Sequence, residues 1–260
     1  MKVRHMSKSE IKQMNQELFQ IVYAPDIESP DEVHLYFREE AKAMQDAGVL
    51  VGIKPMAKAT KLMYRGTSIN QTENYPKDQR YINKANNCTD YLYLSKYYPL
   101  LEELTIETFF SDNLNESVIW EINKRGWQKC FIKKDITALE HIEKGKSVWP
   151  QTSFEEMLRL YDEHPFKGKY CIRKYVDNQK NIEQEERYWV LNGNIYNRHN
   201  KIPEVVKEAA KRLNKLGSKY YTIDATPDFV VEVNPGESSD RHAVNSAELF
   251  ANWIKKEFLK

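Results

Sequence analysis

The sequence predicts an α+β fold, and two features of its organisation support that prediction. The first third alternates strand, helix and strand, which favours a parallel arrangement of the strands. The remainder contains strand hairpins separated by helices, which favours an antiparallel sheet flanked by helices. Apolar residues make up 41% of the 260-residue chain and charged residues 30%, a composition typical of soluble globular proteins with a sizeable core.

The first third is predicted to hold a β-α-β unit preceded by a helix. Apolar residues at helical spacing predict the opening helix, and a polar loop follows the last strand of this region. The elements predicted here are a helix Ser7–Val22, a strand Glu32–Phe37, a helix Arg38–Gly48, and strands Val49–Pro55 and Leu62–Gly66.

Strand and helix signals alternate along the rest of the chain. The Asn192-Gly193 pair predicts a tight hairpin turn, and Pro203 and Gly217 bound one of the helices. The predicted helices are Tyr91–Leu101 with a break near Pro99, Ser117–Gly126, Ser153–His164, Pro203–Gly217 and Asn245–Lys260. The predicted strands are Lys129–Ile136, Lys169–Asp177, the hairpin Arg187–Asn197, and a second hairpin formed by Lys219–Asp224 and Asp228–Asn234.

Charge balance and cysteine usage narrow the classes of function. The chain has 39 basic and 38 acidic residues, a net charge of +1, which does not favour nucleic acid as a partner. Its three cysteines are widely spaced and odd in number, which indicates reduced core residues rather than a disulfide framework. The six histidines show no metal-ligand spacing. No apolar run is long enough to span a membrane and no signal region is apparent, so we expect a cytoplasmic protein.

The last predicted hairpin carries the most informative polar residues. Asp224 ends one strand, while Glu232 and Asn234 lie on one face near the end of the next. A buried carboxylate is costly unless it is paired or bound to a cation, and Mg²⁺ prefers such oxygen ligands. Two alternatives stay open here. Glu232 could face solvent while Asn234 starts an Asn-Pro-Gly turn, and strand alternation makes Asp228 a rival to Asp224 as the third ligand.

Cationic side chains recur on the strands that precede this hairpin. Lys133 and Lys134 follow an apolar run, Arg173 and Lys174 interrupt the next strand, and Arg187 begins the strand after that. Each alone is typical of a surface charge whose stem packs on the sheet. Their recurrence near a candidate metal site instead predicts a cradle for polyphosphate, because lysine and arginine neutralise phosphate oxygens.

The order of the segments "CFIKKD", "YCIRKYVD", "EERYWVLNGNIY" and "TIDATPDFVVEVNPG" resembles the ATP-grasp family. That family has a lysine-bearing strand, a hinge strand that holds adenine, an arginine-bearing hairpin and a terminal Asp…Glu-x-Asn metal site, in this order. The segment "LMYRGTSINQTENYP" and the arginine on the hinge strand resemble in particular the R2K clade. The resemblance implies a lobe at residues 1–100 and an ATP-grasp domain at 101–260. Within that domain a small lobe at about 115–175 and a C-terminal lobe at about 176–260 would sandwich ATP between antiparallel sheets.

The resemblance also implies a role for each matching residue. Lys133 or Lys134 would contact ATP phosphates, and Lys96 falls where many members place another nucleotide lysine, although a solvated helix lysine is the simpler interpretation. Arg65 would face a carboxylate substrate, and Arg187 would bind phosphate or the acyl phosphate. Arg173 matches the hinge arginine, and the backbone of Lys174, Tyr175 and Val176 would meet adenine. Asp177 is a candidate for ribose recognition because Lys174 stands where many members have glutamate. Asp224, Glu232 and Asn234 would hold Mg²⁺.

Three functions follow from this resemblance. The main expectation is an ATP- and Mg²⁺-dependent carboxylate–amine ligase that works through an acyl phosphate, with an amino acid, peptide or other small molecule as substrate. A kinase on the same fold, which phosphorylates a small molecule without an amine, is the second. A catalytically silent nucleotide-binding module is the third, and the full set of phosphate-binding cations and metal ligands argues against it.

Overall fold

The computed structural model describes residues 18–66, 75–138, 147–161, 168–176, 185–241 and 245–259. These residues form two compact units. Unit 1 takes the described residues of Met1–Thr67, Pro76–Ile82 and Ala243–Lys260, and unit 2 takes those of Ser68–Tyr75 and Asn83–His242. The C-terminal helix thus packs with the N-terminal region, and these units do not divide at residue 100. The implied functional lobes at 1–100 and 101–260 stay a prediction.

Unit 1 is built on a three-stranded parallel sheet in the order β2-β1-β3. Its strands are β1 (Phe19–Tyr23), β2 (Leu50–Gly52) and β3 (Lys61–Arg65), and its first helix is α1 (Arg38–Asp46). Every residue of β1 is buried, as expected for the central strand of a parallel sheet covered on both faces. The C-terminal helix, which is the last helix of the chain, packs against α1.

Two predictions in this region are wrong. Residues 19–22 belong to β1 rather than to the end of a helix, because the run of apolar side chains forms a central strand. The remainder of the predicted helix, residues 7–17, lies outside the described residues. Leu35–Phe37 forms a turn of 3₁₀-helix rather than a strand, and the His34 side chain caps it by accepting a hydrogen bond from the Tyr36 backbone amide. The β-α-β unit therefore exists, but its first strand is β1.

Unit 2 contains an antiparallel sheet of five strands, β4 (Thr108–Ser111), β5 (Lys129–Lys134), β6 (Thr137–Ala138), β7 (Val148–Pro150) and β8 (Tyr170–Lys174). One face packs under helices α4 (Glu116–Lys124) and α5 (Phe154–Tyr161). Cys130 and Ile132 of β5, Ile172 of β8 and Trp149 of β7 form the centre of this core. The residues that alternate with them, Phe131, Lys133 and Arg173, lie on the other face.

The second sheet of unit 2 has the order β10-β9-β11-β12 and is antiparallel throughout. Its strands are β9 (Glu186–Leu191), β10 (Asn194–Tyr196), β11 (Tyr220–Ala225) and β12 (Val230–Pro235). The apolar face of this sheet carries Tyr188, Val190, Tyr221, Ile223 and Val233. It forms a core with three helices, α2 (Ala85–Leu92), α3 (Leu94–Leu101) and α6 (Glu204–Leu213). The opposite face carries polar side chains at one end, and the buried Trp189, Leu191 and Tyr220 cover the rest of it.

The predicted hairpin turn is confirmed, because Asn192 and Gly193 adopt positive φ values of 50° and 87° between β9 and β10. The predicted helix break is wrong in position. Tyr93 interrupts the helical run with extended angles (φ −93°, ψ 115°), whereas Pro99 lies inside α3. The closing helix is α7 (Ala247–Phe258), capped by Ser246, and no described helix is long and apolar enough to cross a membrane.

Candidate functional site

The polar face of the four-stranded sheet gathers charged residues from three adjacent strands. Arg187 of β9 lies opposite Asp224 of β11, which lies opposite Glu232 of β12. Cross-strand partners project from the same face, so all three side chains meet. Arg187 donates to both carboxylate oxygens of Asp224 at 2.7 Å. The side-chain nitrogen Nδ2 of Asn234 lies 3.3 Å from Glu232 Oε2 and 3.5 Å from Asp224 Oδ2.

A β-bulge explains why Asp224, and not Asp228, joins this cluster. Glu232 pairs with Asp224 while Val230 pairs with Ala225, so β12 carries one extra residue between these two pairs. Simple alternation, which put Asp228 and Val230 on the face of Glu232, fails at this point. Asp228 lies exposed in the turn that joins β11 and β12.

The two neighbouring lysines of β5 point in opposite directions. Lys133 lies on the face toward the charged cluster, and its Nζ donates to Glu232 Oε1. Lys134 lies on the other face, where Nζ donates to the Gly168 carbonyl at 2.9 Å and sits 3.5 Å from the centroid of the Tyr170 ring. Lys133 therefore belongs to the charged cluster and Lys134 does not, while the lysine that contacts phosphate stays a prediction.

The charges of the cluster keep the Glu232 carboxylate ionised. Burial alone raises the pKa of Glu232, but the charge and hydrogen bond of Lys133, with the Asn234 amide and the charge of Arg173, lower the pKa to about 2. Burial works against the charge of Arg187, yet its hydrogen bonds and proximity to Asp224 raise the pKa of the guanidinium above its usual value. The surroundings thus favour the ionised form of Glu232 and the charged form of Arg187.

The oxygen donors of the cluster fit a hard divalent cation. Asp224 and Glu232 offer carboxylate oxygens and Asn234 an amide oxygen, which is the chemistry that Mg²⁺ prefers. Among the described residues no group of three histidine, cysteine, aspartate or glutamate side chains could hold a metal ion. The set named here has only two carboxylates, and its third donor is an amide. The role of the three residues as metal ligands stays a prediction.

A cavity opens beside this cluster between the two sheets of unit 2. The backbone segment that follows β8 forms one wall, and apolar side chains from both sheets form the others, a lining suited to a flat aromatic base. Its lining residues are Ile106, Phe131, Arg173, Lys174, Tyr175, Val176, Glu185, Thr226, Phe229 and Val231. The predicted adenine segment Lys174–Val176 therefore lines a cavity of suitable chemistry, whereas Asp177 lies outside the described residues.

Arg173 ties the two sheets together at the floor of this cavity. Its Nη1 donates to the Val231 carbonyl at 2.9 Å and its Nη2 to Thr105 Oγ1 at 3.0 Å. Lys96, in contrast, lies exposed on α3. The simpler interpretation of Lys96 as a solvated helix residue agrees with this position.

Two residues of the site carried no role in the sequence interpretation. Asp240, in the loop after β12, accepts a hydrogen bond from Arg187 Nη1 with its side chain and another with its backbone carbonyl at 3.3 Å. Glu185 lines the cavity two residues before Arg187. Nothing in the segment "EQEER" or in the loop "GESSD" marked these two residues, because their contacts depend on the fold.

Comparison with known families agrees with the order of these elements. The family model of the ATP-grasp domain, R2K clade family 3, matches residues 75–253, well over half of the chain. The chain belongs to the R2K clade of the ATP-grasp family. No curated protein matches it in sequence.

Solved ATP-grasp structures share the whole architecture at low sequence identity. D-cycloserine synthetase DcsG has a TM-score of 0.61 at 13% identity, covering 91% of this chain and 100% of its own. An ATP-grasp ligase associated with RiPPs from Chryseobacterium gregarium, in complex with ADP and a leader and core peptide, has a TM-score of 0.60 at 10% identity and covers 92% and 96%. Macrocyclase MdnC from Microcystis aeruginosa, bound to its precursor peptide MdnA, scores 0.58 at 11% identity and covers 91% and 98%. These likenesses establish the ATP-grasp fold.

One residue that the resemblance placed at the substrate is buried in this structure. The Arg65 side chain is fully buried in unit 1, with Nε and Nη2 donating to Glu40 at 2.8 and 2.7 Å. Phe37 and Phe250 flank its guanidinium at 5.0 and 5.5 Å. The Arg65 guanidinium is thus enclosed by a carboxylate and two rings in unit 1, and its role toward a substrate carboxylate stays a prediction.

Proposed function

We propose that the chain is an ATP- and Mg²⁺-dependent carboxylate–amine ligase that forms an amide through an acyl phosphate and releases ADP and phosphate. The observation that supports it is the convergence of Lys133, Arg187, Asp224, Glu232 and Asn234 on one face of a sheet, beside a cavity lined for a base. Two cations and an oxygen-donor set next to a base cavity are what phosphoryl transfer from a nucleotide requires.

The residues of the site have distinct roles in this proposal. The backbone of Lys174–Val176 positions the base, and the apolar walls of the cavity exclude water from it. Lys133 and Arg187 neutralise the phosphate oxygens while the γ-phosphoryl group passes to the substrate carboxylate. The amine then attacks the acyl carbon, phosphate leaves with the C–O electron pair, and the amine proton passes to solvent. No protein nucleophile takes part.

Asp224, Glu232 and Asn234 would hold Mg²⁺, which would supply positive charge that neutralises phosphate oxygens. Both carboxylates bind protein cations in the structure, Asp224 to Arg187 and Glu232 to Lys133. The same cations are those assigned to phosphate. Each of them therefore has two alternative anionic partners, a carboxylate of the site and a phosphate of the nucleotide.

The substrate class rests on the kind of molecule that the structural neighbours bind. Two of them were solved with precursor, leader or core peptides, and a third is a synthetase of the small molecule D-cycloserine. We propose a peptide or an amino-acid-like small molecule as the carboxylate substrate, with an amine as the acceptor.

The test is to incubate the protein with ATP, Mg²⁺ and pooled amino acids and peptides, with Glu232→Gln as the inactive control. We expect ADP and phosphate in equal amounts, and a product whose mass is the sum of both substrates less one water. Release of AMP would contradict the mechanism. A phosphorylated product without an amide would instead assign a kinase on the same fold, and nucleotide binding without any ADP release from every pool would assign a silent module.

A further inference from the structure

All three nitrogens of the Arg187 guanidinium donate to aspartates in the structure. Nε and Nη2 bind the two carboxylate oxygens of Asp224 at 2.7 Å. Nη1 binds the Asp240 side chain and also the Asp240 backbone carbonyl, the latter at 3.3 Å. A guanidinium has five N–H donors in a fixed fork, and these contacts use four of them. A phosphate can therefore take two donors of Arg187 only if one of the two aspartates gives way.

The two aspartates hold the guanidinium with unequal strength. Asp224 accepts two parallel hydrogen bonds, lies directly across the sheet from Arg187, and has a side chain only 8% exposed. Asp240 binds Nη1 alone, lies in the loop after β12, and has a side chain 41% exposed. Breaking a buried two-bond pair is costly because it leaves charges unpaired away from water, whereas an exposed pair contributes little free energy. Asp240 is thus the partner that yields.

The loop that carries Asp240 is fixed as far as the residue before it. The hydroxyl of the buried Ser239 lies 2.9 Å from Thr222 Oγ1 and donates to the Pro235 carbonyl at 2.9 Å. Glu237, earlier in the same loop, is fully buried. A turn of the Asp240 side chain into solvent therefore releases a hydrogen of Nη1 without moving the backbone that precedes it.

The position of this contact indicates which phosphate competes with Asp240. Neither Arg187 nor Asp240 is among the described residues that line the cavity assigned to the base. A nucleotide whose base fills that cavity extends its phosphates toward the charged cluster, and the terminal phosphate reaches farthest. In ATP this is the γ-phosphate, which ADP lacks. The exchange of partners at Arg187 therefore depends on the number of phosphates.

We propose that Asp240 competes with the γ-phosphate of ATP for Arg187, and that it lowers the affinity of the site for ATP but not for ADP. This inference rests on the proposed function, because it requires ATP at this site. Asp240 is then a specificity-determining residue. Its contact with Arg187 is exchanged for the γ-phosphate when ATP binds, and it forms again when that phosphate has left, with no covalent change in the protein.

Calorimetry with ADP and with the non-hydrolysable ATP analogue AMPPNP, both with Mg²⁺, tests the proposal. We expect Asp240→Asn to bind AMPPNP about fivefold more tightly than the wild type, because a competitor of the strength of an exposed ion pair is removed. Its affinity for ADP should equal that of the wild type. Asp240→Ala should show the same gain, since it also lacks the carboxylate. Asp228→Asn is the matched control, because Asp228 is exposed in the turn before β12 and its substitution changes the net charge equally. We expect the control to bind both nucleotides as the wild type does.

Three results would overturn the proposal. Both Asp240 variants could bind AMPPNP no more tightly than the wild type. The affinities for AMPPNP and ADP could rise equally, or Asp228→Asn could gain as much, and either result would reduce the effect to a general loss of negative charge. Melting curves from circular dichroism check that the variants fold, which we expect because the Asp240 side chain is partly exposed. A wild-type protein that binds neither nucleotide would contradict the proposed function itself, so the two failures are distinguishable.

Discussion

At the scale of single residues, adjacent lysines of one strand have unrelated surroundings. Lys133 reaches Glu232 across the two sheets, and Lys134 packs on Tyr170 within its own sheet. The sequence "FIKKD" could not separate them, because a shift of one residue in register exchanges the faces of a strand. Which of the two lysines faces Glu232 depends on the pairing of β5 with β8, and these two segments lie about forty residues apart in the sequence.

Lys133→Met and Lys134→Met form a matched pair that tests the phosphate role. We expect Lys133→Met to weaken ADP binding by about tenfold, because a charge-assisted contact to phosphate is lost. Lys134→Met should leave the dissociation constant unchanged, since Nζ of Lys134 points to Gly168 on the other face. Calorimetry measures the affinities, and circular dichroism checks that both variants fold. The reverse result, with Lys134→Met as the weak binder, would contradict the assignment.

Lys133 is also a competitor for the proposed metal site, because it occupies an oxygen of Glu232. Without nucleotide, we expect Lys133→Met to bind Mn²⁺ several-fold more tightly than the wild type, since Glu232 is then free to coordinate the ion. The signal of free Mn²⁺ in electron paramagnetic resonance gives the affinity. Equal or weaker binding by the variant would show that the lysine does not compete. Glu232→Gln in the same background should abolish the gain.

At the scale of elements, what the sequence could predict depended on how local the deciding interactions are. The turn at Asn192-Gly193 was predictable, because positive φ angles are a property of those two residues. The strand β1 was not, since a fully buried strand and a helix both show dense apolar residues. The convergence of Asp224 with Glu232 followed from the hairpin, but the choice against Asp228 required a bulge that no residue type signals.

The loop after β12 is held by a buried carboxyl group whose titration is measurable. Glu237 Oε1 accepts hydrogen bonds from Asn83 Nδ2 at 2.9 Å and from Tyr75 Oη at 3.0 Å. Burial raises the pKa of Glu237 above its usual value of 4.5, although these hydrogen bonds oppose the shift. The folded protein therefore holds this proton more tightly than the unfolded chain does.

Glu237→Gln should make the stability of the protein less dependent on pH. A raised carboxyl pKa contributes stability that is fully present below about 4.5 and is lost as pH rises through the raised value. We expect the melting temperature of the wild type to fall relative to the variant as the pH rises above about 4.5. Parallel pH profiles of the two proteins, measured by scanning calorimetry, would contradict a raised pKa at this position.

At the scale of the whole molecule, unit 1 is assembled from both ends of the described chain. The ring of Phe258 in α7 stacks on Phe19 in β1 at 5.2 Å, and α7 packs against α1. Periodicity predicts that α7 has an apolar face, but it cannot say which distant element covers that face. The resemblance likewise assigns Arg65 to a substrate without regard to its partners. A motif match gives a position in the family and not the side chains that enclose the residue.

Arg65 therefore offers a prediction about the stability of unit 1. Arg65→Leu removes the guanidinium that forms an ion pair with the buried Glu40, and breaking a buried pair from one side costs about 3–5 kcal/mol. The double variant Arg65→Leu with Glu40→Leu removes both charges and should recover most of that loss, since apolar side chains of similar volume replace a buried ion pair at little cost. Urea unfolding measures both free energies. If Arg65→Leu unfolded like the wild type and yet lost ligase activity with unchanged ATP binding, Arg65 would act on the substrate as the resemblance implied. We expect the opposite pattern, in which stability falls and the double variant restores it, because the guanidinium is enclosed by Glu40, Phe37 and Phe250.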